Sequence, residues 1–175
     1  MAGERSRARA LRGTGNTAAF LQALDSTLRA IAGRAGGAAN RPDVGGFEGA
    51  ALPPILTSAE IVRLRGRADA LALRLRHHDA RLHALQELQG EQARAAYEAI
   101  AQARVEALAT GRMPGVDANI AALIDQQCRD RRLDRASSRE QAPLAEALHI
   151  LARERFLGAP PPPAARAMAE LWRPY

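Results

Sequence analysis

A strictly spaced apolar seam, Ile61, Leu64, Ala68, Leu71, Leu75, His78, Leu82 and Leu85, constrains this chain more than any other feature. Its steps alternate between three and four, which only an α-helix turns into one stripe, and which suits a helix packed lengthwise on another. Thr57-Ser58-Ala59-Glu60 stands just before the seam as a capping box, in which threonine and glutamate side chains satisfy reciprocal backbone donors at a helix start. The pattern predicts one long central helix over 58–88, about 45 Å in length at 1.5 Å per residue. Aromatics make up only 3% of a chain that is 47% hydrophobic, so the core must be built from Leu, Ala, Ile and Val, a mixture that favours helix over sheet. With 175 residues the chain can bury a real core. The expected class is all-α, with five to six helices.

The remaining segments follow from periodicity and punctuation. Residues 1–15, rich in Arg, Gly and Ser, read as an unstructured tail before a domain over 16–175. A first helix runs from about Thr17 to Ala32, with Phe20, Leu24, Leu28 and Ile31 on one side and Gly33 as its stop. Residues 33–56, with Pro42, Pro53 and Pro54, form a long Gly/Pro-rich loop, in which 44–47 and 50–52 are candidate strands of a short β-hairpin. In a third helix, about Glu91 to Ala109, Arg94, Glu98, Gln102 and Glu106 recur every four residues and draw a single hydrophilic ridge. The expectation is that this ridge is wet and the rest of the cylinder buried. Met113-Pro114-Gly115 is a turn before a fourth helix carrying Val116, Ile120, Leu123 and Ile124. Beyond a polar connector over 133–141, Pro143 opens a fifth helix with Leu144, Leu148, Leu151 and Phe156, and Gly158 ends it. Residues 159–163 are a Pro-rich spacer before a last short helix with Met168, Leu171 and Trp172.

The formal charge of +6 raises a nucleic-acid reading, a stand-alone Arg-rich helical binder or protein-interaction module. About half of that charge sits in the first dozen residues, the remainder is interleaved with acids, and aromatics for stacking are scarce. All 25 basic residues are arginine, as the codons of a GC-rich genome would give. The single cysteine, Cys128, offers no disulfide and no metal-ligand spacing. No apolar run approaches bilayer length, and Asn16 and Gln22 interrupt any secretory core, so the expected location is cytoplasmic.

Four places could carry chemistry. His78 and His83 flank Asp79, but five residues apart on one helix their rings diverge by about 140°, against a metal site. The preferred reading is a buried, hydrogen-bonded His78 with an exposed Asp79–His83 pair. Arg104 falls on the apolar side of the third helix, where an unpaired guanidinium is costly. It should therefore pair with a carboxylate, Asp69 or Asp79 being the first choice, or protrude toward another protein. Trp172 is either a docking handle or packs back on its own domain. Catalysis has little support: there is no nucleophile elbow, no phosphate-cradling loop and no lysine to complete one. Neither a catalytic nor a metal-ligating set is assigned.

Several blocks, in order, resemble the amino-terminal region of the CobT subunit family of aerobic cobaltochelatase. They are Leu28–Gly33, Leu52-Pro53-Pro54, Arg65–His83, Ala103–Ala107, Met113–Val116 with Asn119, Pro143-Leu144 with Glu146-Ala147-Leu148, Arg153-Glu154-Arg155 and Leu171-Trp172-Arg173-Pro174. Two departures stand out: Ala101 replaces a glutamate, removing an i, i+3 partner for Arg104, and His77 replaces a cysteine. The resemblance implies a non-catalytic assembly or coupling domain of an ATP-dependent complex. That complex inserts Co²⁺ into hydrogenobyrinic acid a,c-diamide during cobalamin biosynthesis. Its implied partners are the AAA+ ATPase subunit CobS and the corrin-binding subunit CobN, in a hetero-oligomeric ring. ATP, Mg²⁺ and Co²⁺ are then handled by the complex, with no cofactor in this segment. Family members continue into an acidic linker and a von Willebrand A-type domain, whose Asp-x-Ser-x-Ser motif is not matched by Asp25-Ser26-Thr27 or Asp134–Ser138. On this reading the segment is an excised amino-terminal domain or a truncated relative. Arg65, Asp69, His78, Asp79, Arg104, Glu106 and Trp172 are its candidate partner-contact or buried polar residues, and the long central helix is a lever.

Overall fold

A computed structural model describes residues 2–33, 55–84, 88–109 and 112–175, with side chains throughout except in 2–16, 80 and 84. Among the described residues every regular element is a helix. The candidate strands at 44–47 and 50–52, and most of the long loop, lie outside them. Seven α-helices follow in order: α1 (Ala2–Ala32), α2 (Ser58–His77), α3 (Ala80–Ala84), α4 (Glu91–Ala107), α5 (Pro114–Asp130), α6 (Leu144–Leu157) and α7 (Arg166–Trp172). Short 3₁₀ turns occupy Leu133–Arg135, Arg139–Gln141 and Pro163–Ala165. The helix α1 runs back through residues 2–16, where the sequence reading places an unstructured tail.

The largest departure from expectation is the central rod. It ends at His77, and at about 30 Å it is two thirds of the predicted length. His78 leaves helical geometry (φ −88°, ψ 123°) while its N–H still closes the last turn on the Arg74 carbonyl. The Asp79 carboxylate then accepts the N–H groups of Arg81 (2.9 Å) and Leu82 (3.1 Å), which makes it the N-cap of α3. Aspartate competes for backbone donors within a helix and is strongly favoured at its start, so Asp79 converts a continuing pattern into a stop and a restart. Beyond this break the seam loses its meaning: Leu82 is 62% exposed.

The helix α2 nevertheless holds the centre, packing on α1, α5 and α4, while α4 packs on α6. Its start is as predicted: Thr57 N–H meets the Glu60 carboxylate at 2.7 Å and Glu60 N–H meets the Thr57 hydroxyl at 3.2 Å. Leu28 and Ile31 of α1, Ala68, Ala72 and Leu73 of α2, and Ile120 and Ile124 of α5 share one core with Ala147, Ile150 and Met168. The closest approach is at Gly66, where a Cβ would lie 2.5 Å from the Leu123 Cβ and 2.7 Å from the Asn119 carbonyl oxygen. Helix ends are met in kind. Arg76 donates to the Ile31 carbonyl at the end of α1 (2.8 Å), and Gly158 closes α6 in the left-handed region (φ 64°).

The Pro-rich spacer leads α7 back over the body. Trp172 is half-buried, its indole N–H bonds the Ala142 carbonyl at 2.9 Å, and the Arg139 guanidinium lies 5.4 Å from its ring. Of its two sequence readings, packing on its own domain is the one observed. Phe156, placed on the packed side of the fifth helix by the sequence pattern, is 48% exposed instead, and α6 buries Ala147, Ile150 and Arg153.

Candidate functional site: a buried polar seam

The ridge on α4 turns inward only toward its end: Arg94 is exposed, Glu98 and Gln102 are half-buried and Glu106 is buried. Glu106 is 4% exposed and Arg153 of α6 is 4% exposed, with Arg153 Nη1 donating to Glu106 Oε2 at 2.7 Å. Gln102 Nε2 donates to Glu106 Oε1 at 2.9 Å, and His149 Nε2 lies 3.1 Å from Oε2. The second guanidinium nitrogen of Arg153 pairs with Asp117 of α5. Two turns back along α4 from Glu106, Glu98 binds Arg74 of α2 (2.7 Å) and His83 of α3 (2.6 Å), and Arg74 also reaches Gln102 at 3.4 Å. These contacts form one continuous seam, His83–Glu98–Arg74–Gln102–Glu106–Arg153–Asp117, that ties together α2 through α6.

The electrostatics follow from burial and donors. Burial alone would raise the Glu106 pKa, but hydrogen bonds from His149 and Gln102 and the nearby positive charge of Arg153 outweigh it and hold the carboxyl below its ordinary value. Glu98 is likewise lowered, chiefly by its hydrogen bond from Arg74. Both stay ionised at neutral pH, and their oxygens are already committed to protein donors. These carboxylates are therefore poor candidates for acid–base work or metal ligation.

The sequence-predicted residues disperse. Arg65 is exposed, its guanidinium 5.7 Å from the Phe20 ring. Asp69 is buried against α5, accepting the Asn119 amide at 2.8 Å, and burial raises its pKa. Asp79 caps α3 and pairs with neither His83 nor Arg104. The expected divergence of His78 and His83 is also overturned: the break between α2 and α3 brings their rings to 4.7 Å, and the Tyr97 ring meets His83 at 4.9 Å, tilted by 49°. Burial, with Arg74, His83 and Arg104 nearby, lowers the His78 pKa and favours a neutral ring. Among the described residues, no group of three or more His, Cys, Asp and Glu side chains is arranged to hold a metal ion.

Arg104 is exposed and pairs with neither Asp69 nor Asp79, so the carboxylate pairing expected from the sequence is not observed; beside it Glu106 is buried, while Arg94 of the same ridge is exposed. On α4 the buried residues are Ala103, Val105 and Glu106, so its inward face joins apolar side chains to the one charge that Arg153 of α6 pairs. The sequence reading assigned roles to neither Arg153 nor His149. The available signal was a step of three, Ala147, Ile150 and Arg153, with a charge on a stripe that α6 buries.

Asp69 gives a direct test. Its folded pKa is raised, so between its unfolded value of 3.8 and that higher value the native state binds more protons than the unfolded chain. Stability therefore falls as pH rises through that window. Asp69→Asn keeps an oxygen for the Asn119 amide and removes the buried charge. We expect its melting temperature to exceed wild type at pH 7 and to converge on it at pH 4. A lower melting temperature at pH 7 would contradict this assignment.

Other recesses are limited. An open cleft of about 560 Å³ lies between the end of α6 and Arg173, lined by Leu151, Arg155 and Pro160. Burial pushes the Cys128 thiol up to about 11, so it is protonated and unreactive at neutral pH. No described helix is long and apolar enough to cross a membrane. No solved structure matches this fold. A family model described as cobalamin biosynthesis protein CobT matches residues 15–175, nearly the whole chain, and spans α2 to α7 and the entire polar seam. The chain therefore belongs to the CobT family of cobalamin biosynthesis proteins, which places it with cobaltochelatase.

Proposed function

We propose that this domain is a non-catalytic assembly and coupling module, through which the CobT subunit joins the ATPase subunit CobS and the corrin-binding subunit CobN. The observation that carries the reading is the polar seam, buried at Glu106 and Arg153 and half-exposed toward its ends. Seven side chains from five helices form one set of charge-assisted hydrogen bonds, in which the buried His83 Nδ1 alone is left without a partner among the described residues. Such a network fixes the relative placement of helices more tightly than aliphatic packing alone. It can transmit a movement applied at one helix to the others without bending. This stiffness takes over the part that the sequence reading gave to a single long rod. Cobalt is substrate to the complex; the chain's own residues supply shape and charge, and no step of metal insertion is assigned to them.

Co-elution and calorimetry with purified CobS and CobN test the reading. The domain should bind at least one of them, and its addition should support ATP-dependent cobalt insertion in the reconstituted complex. Failure to bind either subunit would remove the assembly role. A single substitution in the seam that abolished insertion while leaving both binding and stability intact would replace coupling with catalysis.

A further inference from the structure

Among the described residues, α3 alone of the seven helices has no broad packing contact with another element. Of its described side chains, Arg81 and Leu82 are exposed and only His83 is half-buried. The His83 imidazole ties the helix to the body: Nε2 lies 2.6 Å from Glu98 Oε1, and the ring meets those of His78 at 4.7 Å and Tyr97 at 4.9 Å. His78 caps the end of α2, so the two histidines meet across the joint that Asp79 makes. The other groups around the pair are Arg74 of α2, Glu98 and Arg104 of α4, and the chain neighbours His77, Asp79 and Arg81. Glu98 is the one carboxylate held against them, and Arg74 already occupies its Oε2 at 2.7 Å. An ionised Glu98 requires an N–H at His83 Nε2, so the proton that charges this ring goes to Nδ1. That atom is buried and has no acceptor among the described residues. One added charge at this joint can be paired; a second has no counterpart.

We infer that α3 is an acid-released latch, docked while the His78–His83 pair carries no more than one proton charge and freed when both rings are charged. Two imidazolium rings in contact, beside the Arg74 guanidinium, repel each other, and the pair titrates as a unit. Little opposes that repulsion, because Leu82 is 62% exposed and gives α3 no aliphatic anchor. Once undocked, the rings separate into water and take up protons near the ordinary histidine value of about 6.5. The docked state takes up fewer. Burial, with Arg74, His83 and Arg104 nearby, holds the His78 ring below its ordinary value against the opposing pull of Glu98. Docking is therefore favoured above that ordinary value and loses ground as pH falls through the docked one. Excluding one proton from the docked state shifts the balance by about thirtyfold at pH 5. Release uncovers the Glu98 end of the polar seam and leaves the Glu106–Arg153 pair buried. The latch goes beyond the assembly reading and does not rest on it, since every contact it uses lies within the domain.

The experiment uses the whole chain as wild type, His78→Phe, His83→Ala and Asp79→Asn, with circular dichroism confirming folding. Amide hydrogen exchange is followed at Leu82 and His83, whose N–H groups bond to the Asp79 carboxylate and carbonyl. Rates are corrected for intrinsic exchange at each pH. Protection in wild type should fall by at least about tenfold from pH 7.5 to pH 5, while Leu73 and Ile120 in the core keep theirs. His78→Phe retains a ring that cannot charge and should cut the fall to less than about threefold. His83→Ala should leave α3 poorly protected at both pH values. Asp79→Asn keeps an oxygen for the cap without titrating, and should keep the full pH dependence. Equal protection of wild type at both pH values, or an undiminished fall in His78→Phe, would overturn the latch. So would loss of the dependence in Asp79→Asn, full protection of α3 in His83→Ala at pH 7.5, or an equal fall at Leu73 and Ile120. Capture of CobS or CobN has no part in the outcome, so the latch and the assembly reading fail separately.

Discussion

Gly66→Ala is expected to lower the melting temperature by about 5–10 °C, although it adds only one methyl group. The added Cβ would lie 2.5 Å from the Leu123 Cβ and 2.7 Å from the Asn119 carbonyl oxygen. Overpacking of this kind costs about 1–3 kcal/mol, and in a chain of this size each kcal/mol moves the melting point by about 2–4 °C. The upper part of the range applies because one of the contacts is backbone. To relieve it, α5 must move away from α2, and Asn119 would carry its amide away from the buried Asp69. Gly115→Ala is the control, since a Cβ there meets nothing within 4 Å. It should be neutral or slightly stabilising, because it removes freedom from the unfolded chain. Calorimetric scans of the two variants decide the matter, and a Gly66→Ala protein melting within about 2 °C of wild type would show that α2 and α5 are not packed at this distance.

Arg153→Met should be the more damaging change, destabilising by about 3–5 kcal/mol, because it leaves a buried carboxylate uncompensated. Methionine fills much of the same volume, so the loss reports charge rather than space. The pH dependence separates the two. In wild type the Glu106 pKa is below its ordinary value of 4.5, so its contribution is fully present above that value and is lost as pH falls through the folded one. Without Arg153, burial gains ground against the remaining donors, and the folded pKa should rise. If it rises past 4.5, Glu106 stabilises less and less as pH climbs, and the sign of its contribution reverses. Denaturant melts at pH 4 and pH 7 should show the gap between variant and wild type widening toward neutral pH. A gap that stays constant would mean that Glu106 is not held by Arg153. Adding Glu106→Gln to Arg153→Met should recover part of the loss, since an amide can be buried at much lower cost than a charge.

Helix existence was legible in the residues because its determinants are local. The reciprocal bonds of Thr57 and Glu60, the glycine stops at Gly33 and Gly158, and the buried stripe of Val116, Ile120, Leu123 and Ile124 all involve neighbours along the chain. The failures share a different cause. Residues repeating every four positions on α4 look the same from sequence whether they face water or the Arg74, His83, His149 and Arg153 side chains of neighbouring helices. The partners that decide the matter, Arg74 and Arg153, lie 24 and 47 residues away in sequence from Glu98 and Glu106 respectively. The same holds for Arg104, whose solvent position follows from the burial of its neighbour Glu106. At the His78–Asp79 break the reading favoured a long periodic seam over a single capping residue, although Asp79 needed only two nearby N–H groups to end the rod.

By itself, then, the amino-acid sequence determined the all-helical class, the start of the central helix, most helix boundaries and the family. Periodicity, caps and recognisable blocks are properties of short stretches. Only the tertiary structure decided which face of α4 is inside, which arginine is buried and which is offered to solvent, and that His78 and His83 meet. Each of these is settled by the balance between desolvating a charge and pairing it with a group from another helix, and that balance has no value until the helices are packed.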